Sequence, residues 1–164
     1  MSSSVCGWIE TPVGSMVATL TSDKLLSKLE FLERIDQQQE NINEAELRKN
    51  TEKDKNLKKI QHEMTEYFQG KRTVFSVPLA EPDHPLMAIP FGETWTYSQL
   101  AGHLGNPKAA RHAGRICSTN NVVIIIPCHR VVSKSGAIKY GAGPERKTHL
   151  IDHEAKVIRE NAKQ

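Results

Sequence analysis

A cysteine, a histidine and an arginine stand together as Cys128, His129 and Arg130, directly after Pro127. The run 122–126 before the proline is entirely apolar and β-branched, which predicts a strand buried on both faces. A thiol at the end of such a strand, beside cationic side chains that lower its pKa, could act as a nucleophile. A free cysteine beside an apolar run is also often a small core residue, and the tetrad alone leaves both interpretations open.

The bulk properties restrict the class of protein. A chain of 164 residues has room for one ordinary domain or two small ones. Cys6, Cys117 and Cys128 cannot all pair and lack metal-site spacing, so we expect a free thiol, a reducing compartment and no metal. No apolar stretch approaches the roughly 20 residues of a membrane helix, and no export signal opens the chain. We therefore expect neither membrane insertion nor secretion.

Positive charge is concentrated in one part of the chain. Between residues 106 and 149, eight lysines and arginines face a single acid, Glu145, which leaves that segment at +7 and the remainder at −4. A basic region around a candidate nucleophile suits a polyanionic partner such as DNA. A solvated surface without a partner fits the charge equally well.

The first half of the chain has the signals of a small sheet and a helix. Strands are predicted over 8–12 and 13–20, across a Thr-Pro-Val-Gly turn, and over 25–32. Leu57, Ile60, Met64 and Phe68 form one apolar stripe, which predicts a helix over 55–68, followed by a strand over 72–79. The polar segment 36–55 predicts an exposed loop or linker.

The second half has the plan of a helix-turn-helix. Helices are predicted over 97–104 and 108–117 with a Gly-Asn-Pro turn between them. Two prolines argue against a regular helix in 80–88, and a final helix begins at Pro144. On its own this pattern is weak evidence for DNA binding, because many helical hairpins bind nothing.

Three segments together resemble the O6-alkylguanine-DNA alkyltransferases, also called methylated-DNA–protein-cysteine methyltransferases. They are Pro127-Cys128-His129-Arg130 with its apolar flanks, Ile-Pro-Phe-Gly-Glu-Thr-Trp-Thr-Tyr over 89–97, and Gly-Asn-Pro-Lys-Ala-Ala-Arg over 105–111. The resemblance implies an α+β fold. A small N-terminal antiparallel-sheet, RNase H-like support domain would occupy 1–79. A helix-turn-helix or winged-helix-like domain that binds DNA and accepts the alkyl group would occupy 80–164.

The same resemblance implies DNA repair by a single-turnover reaction. The alkyl group of O6-alkylguanine, with O4-alkylthymine as a second candidate substrate, would move to Cys128 without any cofactor. Glu154 would orient His129, and His129 would take the thiol proton through a water molecule. Tyr97 would donate a hydrogen bond to the guanine ring, and Asn120 would hold the segment before the cysteine in place.

The expected partner is double-stranded DNA that contains O6-alkylguanine, bound through its minor groove by a monomer. Because a base cannot be dealkylated inside the duplex, Arg111 would replace the flipped nucleotide in the stack. The nucleus of a eukaryote, or otherwise the cytoplasm, is the expected location. The remaining residues implied at the DNA are Ala109, Ala110, Gly114, Tyr97 and Arg130, and those implied in the substrate pocket are Val131, Tyr140 and Gly141.

Several alternatives stay open at this point. The family has a further helix before the segment 89–97, and its absence here would suit a non-catalytic protein that binds alkylated DNA. A thiol hydrolase using Cys128 and a histidine is another possibility, as is a helix-turn-helix regulator whose cysteine only packs in the core. Arg111 could simply contact phosphate, and Glu154 could be a surface carboxylate, as glutamates in helices usually are.

Overall fold

The described residues of a computed structural model, 4–36, 42–106, 108–135 and 140–163, divide between two units. These are Met1–Pro82 and Asp83–Gln164, a division three residues beyond the predicted boundary. The first unit contains an antiparallel sheet and the second is mainly helical, so the predicted α+β fold is confirmed. In the described residues no helix has both the length and the apolar character needed to cross a membrane.

The sheet of the first unit is an antiparallel meander. Its strands are β1 (Val5–Thr11), β2 (Gly14–Leu20) and β3 (Leu26–Phe31), in that spatial order. The turn between β1 and β2 places Thr11 opposite Gly14, which adopts the positive φ that glycine tolerates. The three strands agree with the sequence prediction, because turn residues and apolar runs are both local signals.

Helix α3 (Lys55–Phe68) covers this sheet with the predicted bounds. Leu57, Ile60 and Met64 are fully buried along its stripe, and the Asp54 carboxylate caps its first turn. The short helix α1 (Leu32–Asp36) follows β3 directly. The apolar period of 3.6 residues was therefore sufficient to locate α3.

Helix α2 (Glu44–Lys53) occupies the segment predicted to be a loop or linker, so that prediction is wrong. None of its residues is buried, and hydrophobic periodicity therefore could not reveal it. The Asn43 side chain caps the helix by accepting a hydrogen bond from the Glu46 amide. Asn50 and Thr51 then attach it to β1 by donating to backbone carbonyls of Cys6 and Trp8.

The strand predicted over 72–79 is also absent, although residues 72–79 are described. Only Leu79 forms a bridge, to Leu26 of β3. Upstream of it, the Ser76 amide and hydroxyl donate to the buried carboxylate of Glu63, at 2.8 and 2.5 Å. The segment is thus held by a side chain of α3 where a strand would use a backbone ladder.

The second unit begins with a 3-10 helix, Pro85–Ala88, as its two prolines led us to expect of an irregular segment. Strand β4 (Trp95–Thr96) leads into α4 (Tyr97–His103), whose start is fixed by a capping box between Thr96 and Gln99. Helix α5 (Ala110–Ser118) completes the helix-turn-helix. The long α6 (Pro144–Ala162) ends the unit, and β5 (Val131–Val132) pairs with β4 in parallel.

The strand predicted over 122–126 is wrong, and this changes how the cysteine is presented. The run forms a compact buried turn in which the Ile126 amide donates to the Val122 carbonyl, and Ile124 has a φ of 75°. A 3-10 helix, Cys128–Arg130, follows it. A buried turn requires the same apolar residues as a central strand, so composition alone cannot distinguish the two structures.

The buried Glu63 carboxylate gives a test of how the first unit is held together. Burial alone would raise the pKa of Glu63, but the Ser76 hydrogen bonds, together with Lys59 and Arg72, outweigh it and lower that pKa. Glu63→Gln should therefore reduce the free energy of unfolding by about 1–3 kcal/mol at neutral pH. Because the ionised carboxylate stabilises the fold only above its unfolded pKa, the difference should shrink as the pH falls below 4.5.

Urea denaturation of both proteins at several pH values measures this difference. Lys58→Gln, which changes an exposed side chain of the same helix, is the matched control. A constant difference between parent and Glu63→Gln across the acidic range would contradict the role given to the carboxylate charge.

Candidate active site

The thiol of Cys128 lies at the first residue of the 3-10 helix that follows Pro127. Its side chain is buried, with 6% of the residue exposed, and its amide donates to the Ile126 carbonyl at 2.9 Å. Burial raises the pKa of the Cys128 thiol, while the polar groups of Asn120 and Tyr140 beside it and the charge of Lys147 act in the opposite direction. Other groups of the site therefore have to favour ionisation of the thiol, because burial alone disfavours the thiolate.

Asn120 holds the turn that presents the cysteine. Its side-chain amide donates to the Ile126 carbonyl at 2.8 Å, and its oxygen accepts from the Val122 amide at 3.0 Å. Both ends of the buried turn are thus bound to one side chain. This contact restrains the backbone immediately before Pro127 and Cys128.

Three buried charged or ionisable side chains meet behind the thiol. Glu154, on α6, places Oε2 2.7 Å from Nε2 of His129 and accepts two hydrogen bonds from Arg130, at 2.8 and 3.1 Å. Arg130 also donates to the Ile89 carbonyl, and the Gly92 amide donates to Glu154. Such a group is stable in the interior only because its hydrogen bonds are satisfied together.

This arrangement determines the state of His129. Burial lowers the pKa of His129 despite the opposing effect of Glu154, and Arg130 and Lys147 lower it further. Burial would raise the pKa of Glu154, but His129 and Arg130 hold it well below its usual range. Because an ionised carboxylate only accepts, Nε2 of His129 carries the hydrogen, which leaves Nδ1 as the basic nitrogen. Among the described residues, Nδ1 is buried without a hydrogen-bond partner.

The buried position of Arg130 does not agree with the expectation that it contacts DNA. Its guanidinium is directed to Glu154 and Ile89, and only 7% of the residue is exposed. Glu154 is likewise 1% exposed, which rules out the alternative of a surface carboxylate. Both side chains act within the protein.

The residues expected at the DNA lie along the start of α5. Arg111 is exposed, and Ala109 and Ala110 beside it are partly exposed. Farther along the helix, Gly114 faces the ring of Tyr97, because a Cβ at that position would be in ordinary van der Waals contact with Cε1 of the tyrosine, at 3.9 Å. A helix with small side chains and one long cation at its tip can approach a nucleic acid closely.

Of the expected pocket residues, Tyr140 lies beside the thiol. Tyr140 places its hydroxyl close to Cys128, with that oxygen buried and without a well-aligned hydrogen bond in the described residues. Burial raises the pKa of Tyr140 well above its ordinary value, so the hydroxyl keeps its proton. Gly141 is exposed, Val131 is fully buried, and residues 136–139 of the loop lie outside the described residues.

Comparison with known proteins gives one consistent result. The model of the 6-O-methylguanine DNA methyltransferase ribonuclease-like domain matches residues 5–80, and the DNA binding domain of the same family matches 84–156. The chain belongs to this family. The helix-turn-helix, the buried ion cluster and Cys128 all lie within the family's DNA-binding domain, so DNA is the partner of this unit.

Individual relatives agree with the family assignment. The constitutive methylated-DNA–protein-cysteine methyltransferase of Bacillus subtilis is 34% identical over 157 residues, which cover 88% of this chain and 92% of the relative. The crystal structure of Mycobacterium tuberculosis O6-methylguanine methyltransferase is 29% identical, covers 94% of each chain and has a TM-score of 0.73. A structure of Mycobacterium tuberculosis OGT in complex with DNA is 28% identical, covers 93% of each chain and has the same TM-score.

Lys147 is a buried residue of this family member's site that sequence analysis missed. It is 2% exposed, and Nζ donates to the Val131 carbonyl at 2.5 Å. In the sequence, Lys147 is one of eight cations in the basic segment 106–149, and such side chains are ordinarily solvated. Its spacing of seven residues from Glu154, two turns of one helix, was the available signal.

The support given by Asn120 is testable without any substrate. Asn120→Ala removes both hydrogen bonds to the turn, so the free energy of unfolding should fall by about 1–3 kcal/mol. The neighbouring side chain Asn121 is exposed, and Asn121→Ala should change that free energy by at most about 0.5 kcal/mol. Chemical denaturation of both variants measures the contrast, and equal stabilities would mean that Asn120 does not hold the turn.

Proposed function

We propose that this chain repairs DNA by moving the alkyl group of O6-alkylguanine irreversibly to Cys128. Repair by alkyl transfer to a cysteine is the activity of the family to which it belongs. The observation that carries the choice of Cys128 is its place directly before His129, whose Nε2 lies 2.7 Å from Oε2 of the buried Glu154, within the DNA-binding unit. Cys6 lies in the other unit and hydrogen bonds to Thr19, with no histidine in that contact.

The chemical step is a displacement at the alkyl carbon. Nδ1 of His129 takes the thiol proton through a water molecule, and the Cys128 sulfur then attacks the carbon bonded to O6. A carbon–sulfur bond forms, the carbon–oxygen bond breaks, and its electron pair returns to the guanine ring system. Tyr97 donates its proton to the ring as charge accumulates there, so neutral guanine leaves. Proton exchange with solvent then restores Tyr97 and His129.

Glu154 supports this step by keeping His129 correctly oriented. Because Glu154 is itself held by Arg130 and the Gly92 amide, the imidazole cannot turn without breaking a satisfied buried cluster. The low pKa of His129, caused first by its burial, keeps the ring neutral and able to accept a proton at physiological pH. The geometry thus supports a base that is available before the substrate arrives.

Access to the base requires the nucleotide to leave the duplex. Arg111, exposed at the start of α5, would fill the space left in the stack, while Ala109, Ala110 and Gly114 allow the helix to lie close to the minor groove. The extruded base would enter between Tyr97 and Tyr140, with backbone groups of Cys128 and Val131 at its edge. O4-alkylthymine offers a similar alkyl ether and is a second possible substrate.

The product has consequences for how the protein works. A thioether is not reversed by cellular thiols, so each molecule acts once and needs no organic cofactor or metal for the reaction. We expect the chain to act as a monomer. The working compartment is the one that holds the DNA, the nucleus in a eukaryote and the cytoplasm otherwise.

Substitution of the proposed acceptor is the direct test. Cys128→Ala should bind DNA as the parent does and accept no label from DNA that carries a labelled methyl group on O6 of guanine. The parent and the control Cys6→Ala should each accept at most one methyl group per chain, with the mass increase on the Cys128 peptide. Label on Cys128→Ala would show that another residue is the acceptor. No label on the parent would favour a protein that only binds alkylated DNA.

The role of Arg111 is tested by comparing two substrates. Arg111→Ala should slow repair of duplex DNA at least about tenfold while leaving the reaction with free O6-alkylguanine base unchanged, since only the duplex requires flipping. Arg115→Ala removes the same charge from an exposed position of the same helix and should affect the duplex reaction less. An equal loss of duplex repair rate in the two variants would indicate that Arg111 only contacts phosphate.

A further inference from the structure

Helix α6 presents two opposite charges on its buried face. Lys147, Leu150, Glu154 and Val157 form that face, and all four are buried. Glu154 binds His129 and Arg130, while Lys147 binds the Val131 carbonyl. The three residues that follow the thiol, 129–131, are therefore all attached to a single helix.

The ammonium group of Lys147 lies in a place that is costly for a charge. Only 2% of the residue is exposed, and burial lowers the pKa of Lys147, while the nearby thiols Cys117 and Cys128 oppose that effect when ionised. A buried cation is stabilised by an anion that forms close to it, and the anion is stabilised equally in return. The reaction requires such an anion at Cys128.

Four titratable groups around the thiol are neutral at physiological pH. Burial raises the pKa of Tyr97 on α4 and of Tyr140 in the loop before α6, and it raises that of Cys117 on α5 to about 12. Burial also lowers the pKa of His129, so its ring is neutral. Glu154 and Arg130 are charged but bind each other, and Lys147 is the cation whose charge acts on Cys128.

We propose that Lys147 is a positioning residue for the alkyl acceptor, which both holds the Val131 carbonyl and stabilises the thiolate of Cys128. The proposal rests on Cys128 being the acceptor in the proposed function. His129 removes the proton, and the electron pair left on sulfur is stabilised by the ammonium until it forms the bond to carbon. The same ammonium restrains the backbone that lies against the guanine edge.

Two substitutions separate the hydrogen bond from the charge. Lys147→Gln removes the charge and keeps a donor for the Val131 carbonyl, whereas Lys147→Met removes both. Lys156→Gln changes a lysine on the same helix whose side chain is 67% exposed and serves as the matched control. Circular dichroism and thermal unfolding first establish that each variant is folded.

The readout is the ionisation of Cys128 measured without DNA. Each protein reacts with iodoacetamide between about pH 6 and pH 10, and mass spectrometry of the Cys128 peptide gives the rate, which follows the thiolate. Both Lys147 variants should show an apparent Cys128 pKa at least about one unit higher, which is a tenfold slower reaction at neutral pH. Lys156→Gln should match the parent. Folded Lys147 variants with the parent's pH profile would overturn the proposal.

A second measurement covers the case in which neither Lys147 variant folds. In the parent, nuclear magnetic resonance of labelled lysine follows the titration of Lys147 before and after methylation of Cys128 with iodomethane. Loss of the thiolate should lower the pKa of Lys147, and an unchanged titration would overturn the proposal. Because neither measurement uses alkylated DNA, failure of repair with an intact Lys147 effect would count against the proposed function alone.

Discussion

The site depends on the hydrogen bonds that the buried carboxylate of Glu154 accepts. It accepts hydrogen bonds from two consecutive residues, His129 and Arg130, and from the amide of Gly92. The two carboxylate oxygens of Glu154 thereby join the final helix, the segment after the cysteine and the loop before β4. Breaking a buried ion cluster by removing one member leaves an uncompensated charge in the interior, so these elements hold their positions together.

The activation of the thiol follows from a balance between burial and charge. Burial keeps bulk water away from the reacting centre, but it also disfavours the thiolate that the proposed reaction requires. In the proposed mechanism, a neutral base at His129, the nearby side chain of Asn120 and the ammonium of Lys147 offset the effect of burial. None of these groups would be effective on the surface, where solvent screens charges and hydrates the base.

Binding and chemistry are assigned to different parts of the same unit. Helix α5 carries the exposed cation Arg111 and small neighbours at its start, whereas the proposed reacting groups include Tyr97 on α4 and Glu154 on α6. The helix proposed to face DNA and the proposed pocket are adjacent at Gly114, where a Cβ would be 3.9 Å from Cε1 of Tyr97.

The sequence by itself determined the elements that follow local rules. Turn residues located β1 to β3, the apolar stripe of Leu57, Ile60 and Met64 located α3, and the tetrad ending in Arg130 identified the reacting segment. Only the tertiary structure decided the rest: the turn over 122–126 in place of a strand, the polar helix α2, and the burial of Arg130, Lys147 and Glu154. The reason is that periodicity reports on apolar faces alone, whereas a buried charge is tolerated only where a distant partner is brought to it by packing.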